Sequence, residues 1–229
     1  MVFKSGEAVV NRRQFAFGAL ATLVCVGATT WGCDVATAGS RAHVYLFRGL
    51  FGMSPGMDAL GEKLRQRGIN ATVHGYGETT TLAAVAAQNY KSGREAPIIL
   101  IGHSSGGREI IPMAAQLGHA GVPVALLIPI DTPSAEPVPA NVRRVVNLYL
   151  SDGVGVPVVR GKNFTGQLQN VDLKKDPTMG HFSIQSADKI HKQLIGYVMS
   201  AIGGSSAPAA PAQSAAHAAP APHVEAKAQ

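Results

Sequence analysis

Gly102-His103-Ser104-Ser105-Gly106 is the segment of this chain best suited to covalent chemistry. A serine hydroxyl becomes a nucleophile where a sharp turn presents its Oγ and a base can take its proton. The G-x-S-x-G spacing supplies that turn. The apolar run Ile98-Ile99-Leu100-Ile101 enters it, a helix-forming stretch leaves it, and Gly102 and Gly106 let neighbouring backbone pass close by. The following helix aims its N-terminus at the turn, which favours the negative charge that develops in acyl transfer. His103 is read as a packing residue of the turn. A base and an orienting acid must then follow, in the chain order Ser, Asp or Glu, His. Two histidines of the folded part lie well downstream, His181 and His191. His191 falls within the last helix and is expected to face solvent. His181 lies between the last strand and that helix and is the expected base. The expected acid is Asp131, sheltered at the end of an apolar strand. Asp152, at the end of the next strand, is the alternative acid.

Those side chains need elements to position them. Short apolar runs predict strands at 44–47, 71–74, 98–101, 124–130 and 145–150, with a weaker one at 168–173. Between them lie helical patterns. Ser54 as N-cap and Pro55 in the first turn open one helix, Met57, Leu60 and Leu64 share one face of it, and Gly68 ends it. Further helices are predicted at 82–90 and 108–117. In a last helix Ile190, Leu194, Tyr197, Val198 and Ala201 form one face. Strands alternating with helices predict an α/β fold, a mostly parallel sheet covered on both faces.

The segment Gly102 to Gly107, the helix after it and the run Ala125-Leu126-Leu127-Ile128-Pro129-Ile130-Asp131-Thr132-Pro133 resemble the α/β-hydrolase superfamily. The likeness is greatest to its thioesterase and lipase-like branch, in which a G-H-S-x-G-G, a helix and an apolar strand ending in Asp-x-x-Pro or Asp-Thr recur. The resemblance spans about residues 43–200. It implies an α/β-hydrolase fold, a serine esterase or thioesterase mechanism, an ester of a small molecule or acyl group as substrate, and no metal or organic cofactor. Asp131 and the next strand are only about a dozen residues apart, so there is no room for a long lid insertion. An oxyanion hole needs two backbone N–H donors. Ser105 is expected to give one. The loop Arg48-Gly49-Leu50-Phe51-Gly52 stands where the family has a His-Gly loop, and Leu50 is the expected second donor, with Gly49 or Phe51 as alternatives. Arg48 is expected to buttress that loop or to bind a substrate carboxylate. Phe51, Met53 and Met57 are either an apolar wall for an acyl chain or ordinary core.

Both ends read as appendages to a domain at 39–202. Residues 1–38 have the form of an export signal: Arg12-Arg13, an apolar stretch from Phe15 to Trp31, and Ala36-Thr37-Ala38. The Arg pair followed by Gln-Phe resembles a twin-arginine signal, which implies a periplasmic or secreted protein. The alternatives are an uncleaved membrane anchor and a lipid anchor at Cys33; otherwise no membrane contact is expected. Residues 203–229 contain 11 Ala and 4 Pro and lack the apolar bulk to fold, so a disordered tail is expected. The 46% hydrophobic and 15% charged composition suits a packed core. Cys25 and Cys33 are too few for a disulfide framework or a Cys-rich zinc site, and His217 and His223 lack a third metal ligand. The net charge of +6 is scattered, so no nucleic-acid partner is indicated.

Overall fold

Six strands, each buried or half-buried by helices, form one parallel sheet in the computed structural model, which describes residues 41–203 except Ala135. The expected export segment at 1–38 and, apart from Gly203, the expected tail at 203–229 lie outside the described residues. The elements run β1 (His43–Phe47), a short 3-10 turn (Leu50–Gly52), α1 (Pro55–Arg65), β2 (Asn70–His74), α2 (Thr79–Lys91) and β3 (Ile98–His103). Then follow α3 (Ser105–His119), β4 (Val124–Ile130), β5 (Arg144–Tyr149), β6 (Gln167–Asp172) and α4 (Asp188–Gly203). All the predicted strands and helices are present. The 3-10 turn was not foreseen, and α3 begins three residues earlier than predicted, directly after Ser104.

The strand order is β2-β1-β3-β4-β5-β6, and every pairing is parallel. The chain leaves β1 to one side for β2 and returns to the other side for β3. The reversal opens a crevice at the C-terminal ends of β1 and β3, where doubly wound sheets collect ligands. The loop after β1 and the turn after β3 are those the sequence singled out.

Side chains alternate across the pleat, so two cores form. Val44, Leu46, Ile99, Ile101, Ile128 and Leu148 face α1 and α4, meeting Met57, Leu60, Leu64, Leu194 and Val198. Tyr45, Phe47, Ile98, Leu100, Leu127 and Val145 face α2 and α3, meeting Ala83, Ala86, Ile110, Ile111, Met113 and Leu117. Small alanines in α2 let that helix pack closely on α3. Ile98 pairs with Val124 but Ile99 with Leu126, so β4 carries one extra residue, Ala125, and the inward set shifts there. Gly68, at φ +73, ends the first helix as expected; its N–H and that of Ile69 return to Arg65 O and Leu64 O.

One open alternative is decided and one local expectation is corrected. Met57 is wholly buried in the core and cannot wall a substrate site. Ser54 does precede α1, but its side chain caps no helix N–H. It is fully buried and turned away from the helix, because two inward polar partners described below claim the hydroxyl.

Candidate active site

Ser104 sits between β3 and α3 at φ 56 and ψ −124, a conformation that costs an L-residue free energy. Three neighbours enforce it. The Ser104 N–H donates to Ile130 O at 2.9 Å, which ties the turn to β4. A Cβ on Gly102 would collide with the backbone of Gly106 and lie 2.8 Å from Gly107 N. One on Gly106 would lie 2.5 Å from Arg48 O and 2.6 Å from Phe47 O. Both glycines are therefore required by close backbone approach, as the spacing implied.

His181 lies in the loop that connects β6 to α4. Its Nε2 is 3.1 Å from Ser104 Oγ, and its Nδ1 is 2.7 Å from Asp131 Oδ2. Asp131 is fully buried at the end of β4, at φ 45, and its own N–H donates to Leu148 O at 2.7 Å. Its other oxygen, Oδ1, accepts the Leu150 N–H at 2.9 Å. The carboxylate is thus oriented by the backbone just after β5 and can only accept, so His181 donates from Nδ1 and its Nε2 lone pair faces the Ser104 hydroxyl. Of the two acids weighed, Asp131 is the one beside His181. Asp152 is exposed on a turn, with the Gly153 N–H returning to Leu150 O.

The expected oxyanion donors stand differently. Ser105 begins α3 and is buried at the helix N-terminus. Leu50, however, gives its N–H to Ser105 Oγ at 2.6 Å, so this donor is engaged rather than free. The Gly49 N–H is also engaged, by Ser54 Oγ at 2.9 Å. The loop does pass directly over Ser104: a Cβ on Gly49 would stand 3.3 Å from Ser104 Cβ. Phe51, at φ 54, projects outward with 91% of its surface exposed. Met53 and Leu50 are about half exposed, and Phe182, 65% exposed, sets its ring edge-on to that of His181 with centroids 5.1 Å apart. Arg48 grips Asp58 of α1 with Nε and Nη2, Nε to Oδ2 at 2.8 Å, and so braces the loop. That guanidinium holds the Asp58 carboxyl below the usual range.

Sequence reasoning missed several residues. His103 is 1% exposed and uses both ring nitrogens: Nδ1 is 2.7 Å from Ser54 Oγ, and Nε2 is 2.9 Å from His181 O. Burial, with the nearby His181 ring adding to it, lowers its pKa to about 4 and keeps it neutral. Gln185 takes the Gly56 N–H at 2.6 Å and donates to Phe182 O at 2.8 Å. His191 does not face solvent as expected. It is 1% exposed because it lies under the turn before α4, where it contacts Gln185 O at 2.8 Å. No sequence pattern marks these contacts.

Such an arrangement can activate a hydroxyl toward a carbonyl carbon. Among the described residues no group of three or more His, Cys, Asp or Glu could hold a metal ion, and no helix is long and apolar enough to cross a membrane. The architecture is the α/β-hydrolase fold. The particular likeness is to the type II thioesterase BorB from the borrelidin biosynthetic cluster, with a TM-score of 0.50 and 12% identity over 69% of this chain and 93% of that one. The NocB thioesterase domain from the Nocardicin cluster gives a TM-score of 0.44 at 14% identity, over 70% of this chain and 95% of that one. Its covalent complex with a fluorophosphonate nocardicin G analog gives 0.46 at 14%, over 74% and 96%. No family model matches the chain, and no curated protein does at a significant level.

Proposed function

We propose that this chain is an exported serine hydrolase that cleaves a carboxylic ester or thioester through an acyl-enzyme. The observation that carries the reading is the His181 ring, which bridges Ser104 Oγ and the buried Asp131 carboxylate. In this reading Ser104 Oγ attacks the carbonyl carbon while His181 Nε2 takes its proton. The imidazolium forms against Asp131, and the proton passes to the leaving alcohol or thiol as the tetrahedral centre collapses. Water then repeats the cycle on the acyl-enzyme. The N–H groups at the start of α3 favour the developing oxyanion. Exposed Leu50, Phe51 and Met53 in the covering loop, and Phe182 against the His181 ring, support an apolar acyl group. The Arg12-Arg13 segment supports export, and an exported location favours esters over cytosolic acyl-carrier thioesters.

Covalent labelling by a fluorophosphonate, read by mass spectrometry on Ser104 with Ser104→Ala as the control, tests the activity. Absence of labelling would sink it. The N-terminus of periplasmic or secreted material tests export, with a start near Gly39 expected. The second reading, a non-catalytic binding protein on the same fold, is favoured by one observation: Ser105 Oγ already occupies the Leu50 N–H. Binding of p-nitrophenyl esters without turnover would support that reading.

A further inference from the structure

Two side-chain bridges join the loop that covers Ser104 to the loop that carries His181, and neither belongs to the Ser104–His181–Asp131 group. In the first, Gly49 N–H donates to Ser54 Oγ at 2.9 Å, Ser54 Oγ lies 2.7 Å from His103 Nδ1, and His103 Nε2 lies 2.9 Å from His181 O. The proton positions follow from the ends. A carbonyl only accepts, so His103 donates from Nε2. A neutral ring then accepts at Nδ1, so the Ser54 hydroxyl donates to it and is left to accept from Gly49. In the second, Gln185 Oε1 accepts the Gly56 N–H at 2.6 Å, and its Nε2 donates to Phe182 O at 2.8 Å. The bridges thus start at Gly49 and Gly56, which bracket the covering loop, and end on two consecutive carbonyls, those of His181 and Phe182. Ser54, His103 and Gln185 are at most 3% exposed, so water does not compete for their partners.

We propose that Ser54, His103 and Gln185 are positioning residues that couple the covering loop to the base loop, so that the backbone over Ser104 and the ring of His181 hold one joint geometry. This rests on the reading of Ser104 as nucleophile and His181 as base. A rigid link between these loops matters because displacement of a reacting group by about 1 Å can cost on the order of 100-fold in rate. The bridges act through backbone carbonyl and N–H groups and touch no reacting atom. Their loss is expected in kcat and not in substrate affinity.

The experiment compares Ser54→Ala, His103→Phe, His103→Gln and Gln185→Met with the unaltered protein. Rates of fluorophosphonate labelling and of p-nitrophenyl acetate hydrolysis are measured below each melting transition. Ser54→Ala, His103→Phe and Gln185→Met should each lower kcat roughly 10-fold with KM changed less than about twofold. His103→Gln, whose amide can still donate to His181 O, should recover most of the loss. In Ser54→Ala/His103→Phe the loss should be no greater than in the worse single variant, since both cut one bridge. Loss of melting temperature with kcat unchanged would overturn the proposal, as would a rise in KM alone. If the unaltered protein neither labels nor turns over, the hydrolase reading fails by itself. The bridges are then judged by nitrogen-15 spectra of the imidazoles. The His181 Nδ1–H signal should broaden in the folded Ser54→Ala and His103→Phe variants, and an unchanged signal would overturn the coupling.

Discussion

Gly155 is packed against the carboxylate of Asp131 so tightly that a Cβ at position 155 would overlap Oδ1 and stand 2.9 Å from Tyr149 Cβ. The absent side chain leaves room for the acid to turn toward His181. Gly155→Ala should therefore displace Asp131 while leaving the sheet intact. The expected result is a loss in kcat of about 100-fold, near that of a misplaced catalytic group, with a cooperative melting transition retained. Steady-state kinetics and calorimetry check it.

Asp131→Asn should lower kcat by about 10,000-fold, because an amide in that place permits the wrong tautomer of His181. Asp152→Asn should change kcat less than about twofold, since that side chain lies on an exposed turn. Kinetics on one soluble ester for both variants decide the matter.

Relief of the Ser104 backbone should be visible in stability. The φ of 56 costs a serine roughly 1–3 kcal/mol, and glycine adopts it freely. Ser104→Gly gives up labelling and is expected to gain about 1 kcal/mol after the flexibility of glycine in the unfolded chain is discounted. For a domain of this size that is a rise of about 2–4 °C in Tm, measurable by scanning calorimetry.

Buried His103 sets a pH dependence. Its pKa falls from 6.5 in the unfolded chain to about 4 in the folded protein, chiefly through burial. Between those values the unfolded chain holds more protons, so stability rises with pH across this window and is lost as pH falls from 6.5 toward 4. The share of His103 is roughly 3 kcal/mol. His43, His74 and His191 are lowered by burial too and act in the same direction. Urea titrations at pH 4.5 and 7 should show a smaller pH difference in His103→Gln than in the unaltered protein.

The legible part of this molecule was that written in local pattern. Runs such as Ile98 to Ile101 are apolar without alternation because the strand is covered on both faces, and that marks a parallel sheet. The Gly102–Gly106 spacing marked a turn because only glycine tolerates the crossing backbone there. His181 and Asp131 could be shortlisted because each follows a strand end. The choice between Asp131 and Asp152 lay in burial, which single-sequence reading can only infer from the apolarity of the preceding strand. What stayed hidden depends on how loops fold back onto neighbouring elements, which local pattern does not record. Ser54 had the local marks of a helix cap, yet Gly49 and His103 claim its hydroxyl. The helical position of His191 gave no sign of the turn folded over it. Nothing near Gly155 announces the carboxylate of Asp131.

All five pairings of the sheet are parallel, so none of its ladders can close as a local hairpin. Every ladder waits for an intervening crossover, and β1 meets β3 only after the β2 excursion is complete. Chains that depend on such distant pairings gain order late and fold slowly. Ser104 follows the third strand, whereas His181 follows the sixth, so the pair cannot come together until the last crossover has docked. Chemical competence should therefore be among the last properties to return on refolding, behind helical circular dichroism.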